Sequence, residues 1–301
     1  MEDEENTFSI NYERPLLGKK KMNENKKIVI FLVCLNILVI GLSLFVIISY
    51  FHTKENNHAK NINNIKVLKY DKDFIKPKIK LNAEFELVKV KNNMKGFLIS
   101  DSFSSFTSVC FFVSNGSFSD TIGGLAHLNE HMVIAGGSKN YKYYTMLSKI
   151  FFLNGVEANA VTLDSTTLYY IVSKNNFKIE KAIDILIDCL THPLYDEKII
   201  EKEIQPINSE FYLKKSNKDQ ILLNIIKQLS SNETSFNGFS NGNNQTLKPN
   251  ESAKLSKILK GYHNLIYKPE NINFILYSNK SIIELEEYVG KYFNFKMHEF
   301  P

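Results

Sequence analysis

Gly123-Gly124-Leu125-Ala126-His127-Leu128-Asn129-Glu130-His131-Met132 is the stretch around which the chain is organised. Inside it lies the pattern H-x-x-E-H, formed by His127, Glu130 and His131. On a helix, residues four apart stand one turn above each other on the same face. His127 and His131 can therefore grip one metal ion together, and Glu130 shares their face. Two imidazoles and a carboxylate suit zinc with a position left open for water. Zinc lowers the pKa of such a water, and a nearby carboxylate can take its proton. Glu130 is the candidate general base. Gly123-Gly124 reads as the opening of the helix, and Leu125, Ala126, Leu128 and Met132 supply its packing face.

H-x-x-E-H is the inverted form of the zincin motif. The segment from about Leu81 to Pro301 resembles the catalytic half-domain of the insulin-degrading enzyme and pitrilysin family of zinc metallopeptidases. The resemblance implies a zinc cofactor, peptide substrates and a half-domain of the mitochondrial processing peptidase-like type. In the family a pair of glutamates follows the histidine helix at about the distance at which Glu203 and Glu210 stand here. Glu210 is then the implied third zinc ligand, and Glu203 the implied support behind the ligands. Taken alone, the seven-residue spacing says only that both glutamates face one side of a helix. Pro206, between them, removes one backbone hydrogen bond and favours a kink.

Asn159-Ala160-Val161-Thr162 resembles the family's edge strand, which takes the substrate backbone by strand addition. The Gly242-Asn243 and Thr246-Leu247 pairs resemble a further family element. Active members enclose substrate between this half and a second, similar half or a partner subunit. A catalytically inactive scaffolding subunit and a tethered peptide-binding module are the alternative functions.

Upstream, the 301-residue chain changes character sharply. Residues 1–27 are polar and read as a solvated tail. Ile28–Phe51 is an uncharged apolar run of 24 residues, long enough to span a bilayer. Five lysines lie between positions 19 and 27, whereas Lys54 and Lys60 alone follow closely after the run. The positive-inside rule places the N-terminus in the cytosol and the rest in a lumen or outside, as a type II anchor; a cleaved signal peptide is the alternative, although no small-x-small cleavage site is evident. Residues 52–80, rich in Asn and Lys, read as a stalk, and 81–301 as the catalytic half-domain.

Net charge is +5 with lysines dispersed, and no basic stripe with interleaved aromatics appears, so nucleic-acid binding is not expected. Cys34, Cys110 and Cys189 form no C-x-x-C pair. Among the other histidines, His192 and His263 read as structural.

Alternating runs predict paired strands at 84–90 and 95–100 around Asn92-Asn93, a buried strand at 106–113, and strands at 158–162, 166–172 and 271–277. Helical spacing covers 142–152, 179–190, 196–215, 221–229, 255–267 and 281–292. The expected fold is α+β: two layers, a mostly antiparallel sheet packed by helices, preceded by one transmembrane helix.

Overall fold

The computed structural model describes residues 61–62, 65–68, 83–144, 151, 155–174, 179–231 and 234–301. The expected membrane span and its tail lie outside them. Among the described residues, no helix is long and apolar enough to cross a membrane.

Among the described residues eight strands form one sheet: β1 (Asn61–Ile62), β2 (Ile65–Leu68), β3 (Ala83–Val90), β4 (Lys95–Asp101), β5 (Phe106–Val113), β6 (Val156–Thr162), β7 (Thr167–Lys174) and β8 (Ile272–Ser278). Their spatial order is β1-β2-β3-β4-β8-β5-β7-β6. The β4–β8 pair is parallel and the other neighbours run antiparallel. The fold is thus α+β with a mixed, mostly antiparallel sheet. β3 and β4 form the expected hairpin, and Asn93 takes a left-handed conformation at its turn (φ 73°), which Asn tolerates better than most residues.

The helices are α1 (Leu125–Ala135), α2 (Ile179–Thr191), α3 (Glu197–Lys215), α4 (Lys218–Leu229), the single turn α5 (Asn244–Leu247), α6 (Ser252–Ile266) and α7 (Ile282–Tyr292). Two corrections to the sequence reading follow. The stalk expected over 52–80 does not reach the sheet intact: β2 pairs in register with β3, Ile65 opposite Val90, and Ile65 is buried. Its alternation spans four residues inside an Asn- and Lys-rich stretch, too short to stand out against that composition. The helix expected from Lys142 does not include 142–144: Lys142 is irregular, Tyr143 lies in a bend and Tyr144 in a turn. A mutual pair of backbone bonds between Ser138 and Tyr141 shapes the chain just before. Most of the remaining residues of that helix lie outside those described.

β5 is covered on both faces. Val109, Phe111 and Val113 join the large core with Ile183 and Leu186 of α2 and Leu285 and Val289 of α7. Cys110 and Phe112, on the other face, pack with Leu168. This period of two is the signature of a strand. It also puts Cys110 and Cys189 in different clusters, and both are free, buried thiols. A second core positions the site. Leu125, Leu128 and Met132 of α1 pack with Ile200, Ile204 and Ile207 of α3 and Leu255 and Leu259 of α6. Each such side chain contributes about 1.5–3 kcal/mol by leaving water.

Candidate metal centre

α1 begins where two glycines are required by close packing. Gly124 has φ 88°, and a Cβ there would lie 2.3 Å from the Cα of Gly242. The loop around Gly242 therefore sits directly on the start of the helix. Asp120 Oδ1 accepts from the Ala126 amide at 2.9 Å, placing a carboxylate at the amide-rich end of α1. Burial raises the Asp120 pKa to about 7, against the lowering effect of these amides. α3 is capped by Asp196, whose Oδ1 accepts from the amides of Lys198 and Ile199. It continues as one helix through Pro206, and Glu210 reaches the histidines.

The apolar contacts between α1 and α3 leave His127, His131 and Glu210 facing one another. One ligand atom from each lies within 4.8 Å of the others. His127 Nε2 is 3.4 Å from Glu210 Oε2, and His131 Nε2 is 3.6 Å from Glu210 Oε1. Two ligand atoms bound to zinc at about 2.0–2.1 Å, at a tetrahedral angle, stand roughly 3.4 Å apart. The spacing fits a zinc ion held by two imidazoles and one carboxylate.

Both imidazoles are oriented from behind. His127 Nδ1 donates to the Asn241 carbonyl at 2.7 Å. His131 Nδ1 donates to Glu203 Oε2 at 2.8 Å, and Tyr144 donates to the other oxygen of Glu203 at 2.5 Å. With the proton on each Nδ1 held from behind, Nε2 is the nitrogen that would turn a lone pair to a metal beside Glu210. Without a metal the cluster is an ion-pair site. Burial disfavours charge on His131, but Glu203 and Glu210 outweigh it and raise its pKa to about 9. His127 and His131 in turn hold the Glu210 carboxylate far below its ordinary value.

Glu130 is buried beside this cluster, and its Oε2 accepts from the Thr162 hydroxyl at 2.6 Å. Asn159, Ala160, Val161 and Thr162 lie on β6, the last strand of the sheet order. Its ladder partner is β7, with Asn159 opposite Tyr170. The Ala160 amide donates to the Asn159 side chain at 2.9 Å. A cleft of about 570 Å³ runs between the three clustered residues, these four strand residues and Ile221 and Ile225 of α4.

Three contributors escape a reading of the sequence: Asn241, Tyr144 and the Thr162 hydroxyl. Each acts through a contact across 32 residues or more; Thr162 was singled out only as part of the edge strand, not for its bond to Glu130. Asp120 carried one usable signal, an acidic residue shortly before a helix start. His263 is structural: Nε2 donates to the Leu190 carbonyl within the core. His192 caps the end of α2 beside Thr191.

An α+β domain with H-x-x-E-H on one helix and a carboxylate opposite it on another defines a metallopeptidase-type domain of the inverted zincin kind. Residues 97–245 match the family described as Insulinase (Peptidase family M16), and the chain carries a domain of this insulinase and pitrilysin family. Protease 3 of Escherichia coli K12 is 28% identical over 206 residues, covering 68% of this chain and 21% of that protein. The insulin-degrading enzyme homolog of Dictyostelium discoideum is 28% identical over 214 residues, covering 70% and 22%. The crystal structure of pitrilysin superposes with a TM-score of 0.66 at 28% identity, over 71% of this chain and 23% of that one. The chain spans about a fifth of the length of these curated relatives.

Proposed function

We propose that this chain supplies the zinc-binding, catalytic half of a membrane-anchored metalloendopeptidase. The observation that carries the reading is the convergence of His127, His131 and Glu210, one ligand atom of each within 4.8 Å of the others, with the two Nε2 atoms 3.4 and 3.6 Å from different oxygens of Glu210, close to the edge of a zinc tetrahedron. His127, His131 and Glu210 would hold the ion, and Glu203 would fix His131. Zinc bound there would polarise a water and the scissile carbonyl. Glu130, poised at the edge of the cleft, accepts the proton of the attacking water and passes it to the leaving amine. Thr162 holds the carboxylate ready for that exchange.

A substrate peptide would add to β6 through main-chain bonds along Asn159–Thr162. The Asn159 side chain already occupies the Ala160 amide. A substrate carbonyl would have to displace it, so one such contact contributes little net binding. More enclosure is needed to offset the entropy of ordering a flexible peptide. Ile221, Leu222, Ile225, Ile226 and Leu229 of α4 are exposed beside the cleft. A helix this apolar is normally covered. With about four-fifths of each relative's length unaccounted for, a second homologous half or partner subunit is the proposed cover.

The lysines before Ile28 and the uncharged run of 28–51 support a type II anchor, with the catalytic residues lumenal or extracellular. Protease protection of microsomes should then shield 81–301 and clip the N-terminal tail.

The deciding experiment is Glu130→Gln, assayed on a quenched fluorescent peptide with the second half supplied. Gln keeps the size of the side chain but accepts no proton. Zinc content should be unchanged and cleavage lowered about a hundredfold or more. Near-normal turnover would defeat the reading.

A further inference from the structure

We propose that Asn241 is a positioning residue that ties the imidazole side of the metal site to its carboxylate side. The inference rests on the zinc reading above. Asn241 lies in the loop between α4 and α5 and acts in two directions. Its main-chain carbonyl accepts from His127 Nδ1 at 2.7 Å. Its side chain grips α3: Oδ1 accepts from Lys214 Nζ at 2.7 Å, and Nδ2 donates to the Ile207 carbonyl at 3.3 Å. Nδ2 also donates to the Gly242 carbonyl at 2.9 Å.

Ile207 and Lys214 flank Glu210 on α3, about one turn before and one turn after it. Lys214 Nζ is 3.5 Å from Glu210 Oε2, the same oxygen that lies 3.4 Å from His127 Nε2. The path therefore closes on itself: His127, Asn241, Lys214, Glu210 and back to His127. Asn is suited to this place because one short side chain carries both a donor and an acceptor. Asp retains the acceptor only, and Ala neither.

An exposed Lys–Glu pair is worth little as a Coulomb contact. Its importance here is geometric. The loop that orients His127 is pinned to the helix that carries Glu210, so the two ligands keep their separation before a metal arrives. Loss of such supports from behind a ligand lowers metal affinity about 10–100-fold.

The test uses the full chain and Co2+ as a spectroscopic substitute for zinc. Asn241→Ala should weaken Co2+ affinity about tenfold or more and alter the visible ligand-field bands, while the metal-free melting temperature stays near wild type. Asn241→Asp, which keeps the acceptor for Lys214, should lose less and serves as the second variant if Ala misfolds. In a Lys214→Met background the Asn241→Ala loss should shrink, because one of the two contacts of Asn241 with α3 is then already gone. Wild-type affinity and spectrum in Asn241→Ala, or an undiminished loss in the Lys214→Met background, would overturn the proposal. Failure of the wild-type chain to bind either metal would overturn the zinc reading and this inference with it.

Discussion

Thr162 Oγ1 lies 2.6 Å from Glu130 Oε2 and donates its proton to that carboxylate. The bond joins the end of the edge strand to the proposed base on α1. Removing it with Thr162→Val preserves the shape of the side chain. Hydrogen bonds to charged groups contribute about 1.5–3 kcal/mol, so kcat should fall roughly ten- to a hundredfold. Thr162→Ser should retain most turnover. Zinc content should not change in either variant, and kinetics beside metal analysis check this.

Glu203 is buried and bonded to both His131 and Tyr144. Glu203→Ala frees the His131 ring and leaves the Tyr144 hydroxyl without its acceptor. Zinc affinity should drop about 10–100-fold. Competition with a chromophoric chelator measures it, and unchanged affinity would remove Glu203 from the site.

Ile204 is fully buried between α1, α3 and α6. Ile204→Ala should lower stability by about 3 kcal/mol through lost transfer energy and a residual cavity. Urea unfolding reads this. The same substitution loosens the packing that faces His127 toward Glu210, so metal affinity should fall with stability.

His263 gives the fold an acid-sensitive group away from the metal. Nε2 donates to Leu190, Nδ1 is buried without a partner among the described residues, and the ring stacks on Tyr267 at 4.9 Å. Burial lowers its pKa to about 4. Between that value and the unfolded value near 6.5, the unfolded chain binds more protons. The contribution of neutral His263 is therefore complete above about pH 6.5 and is lost as pH falls toward 4, on the order of 3 kcal/mol in all. Melting temperature against pH should lose this component in His263→Phe. An identical acid dependence in both proteins would count against it.

The helix faces and strands were legible because burial acts on local periodicity. α2 keeps Ile179, Ala182, Ile183, Leu186 and Leu190 on its core side, as their spacing requires. The histidine pair was legible because both ligands sit one turn apart on one helix. Glu210 was not derivable that way. Spacing on α3 shows which glutamates share a face, but only the packing of Leu128 and Met132 on Ile204 and Ile207 brings that face to α1. Pro206 lies inside a helix that is continuous from Glu197 to Lys215, and Glu210 beyond it still reaches both histidines. β2 was hidden because four residues carry too little pattern, and Asn241 because its role depends on a loop docking at Gly124.

Zinc stoichiometry is the most direct test of the account. The purified chain and its Glu210→Ala variant should be dialysed against buffered trace zinc, then analysed for metal by mass spectrometry. The account predicts close to one zinc per wild-type chain and a large loss in Glu210→Ala, since His127 and His131 alone leave the site one ligand short. Full occupancy in Glu210→Ala, or none in the wild-type chain, would contradict it.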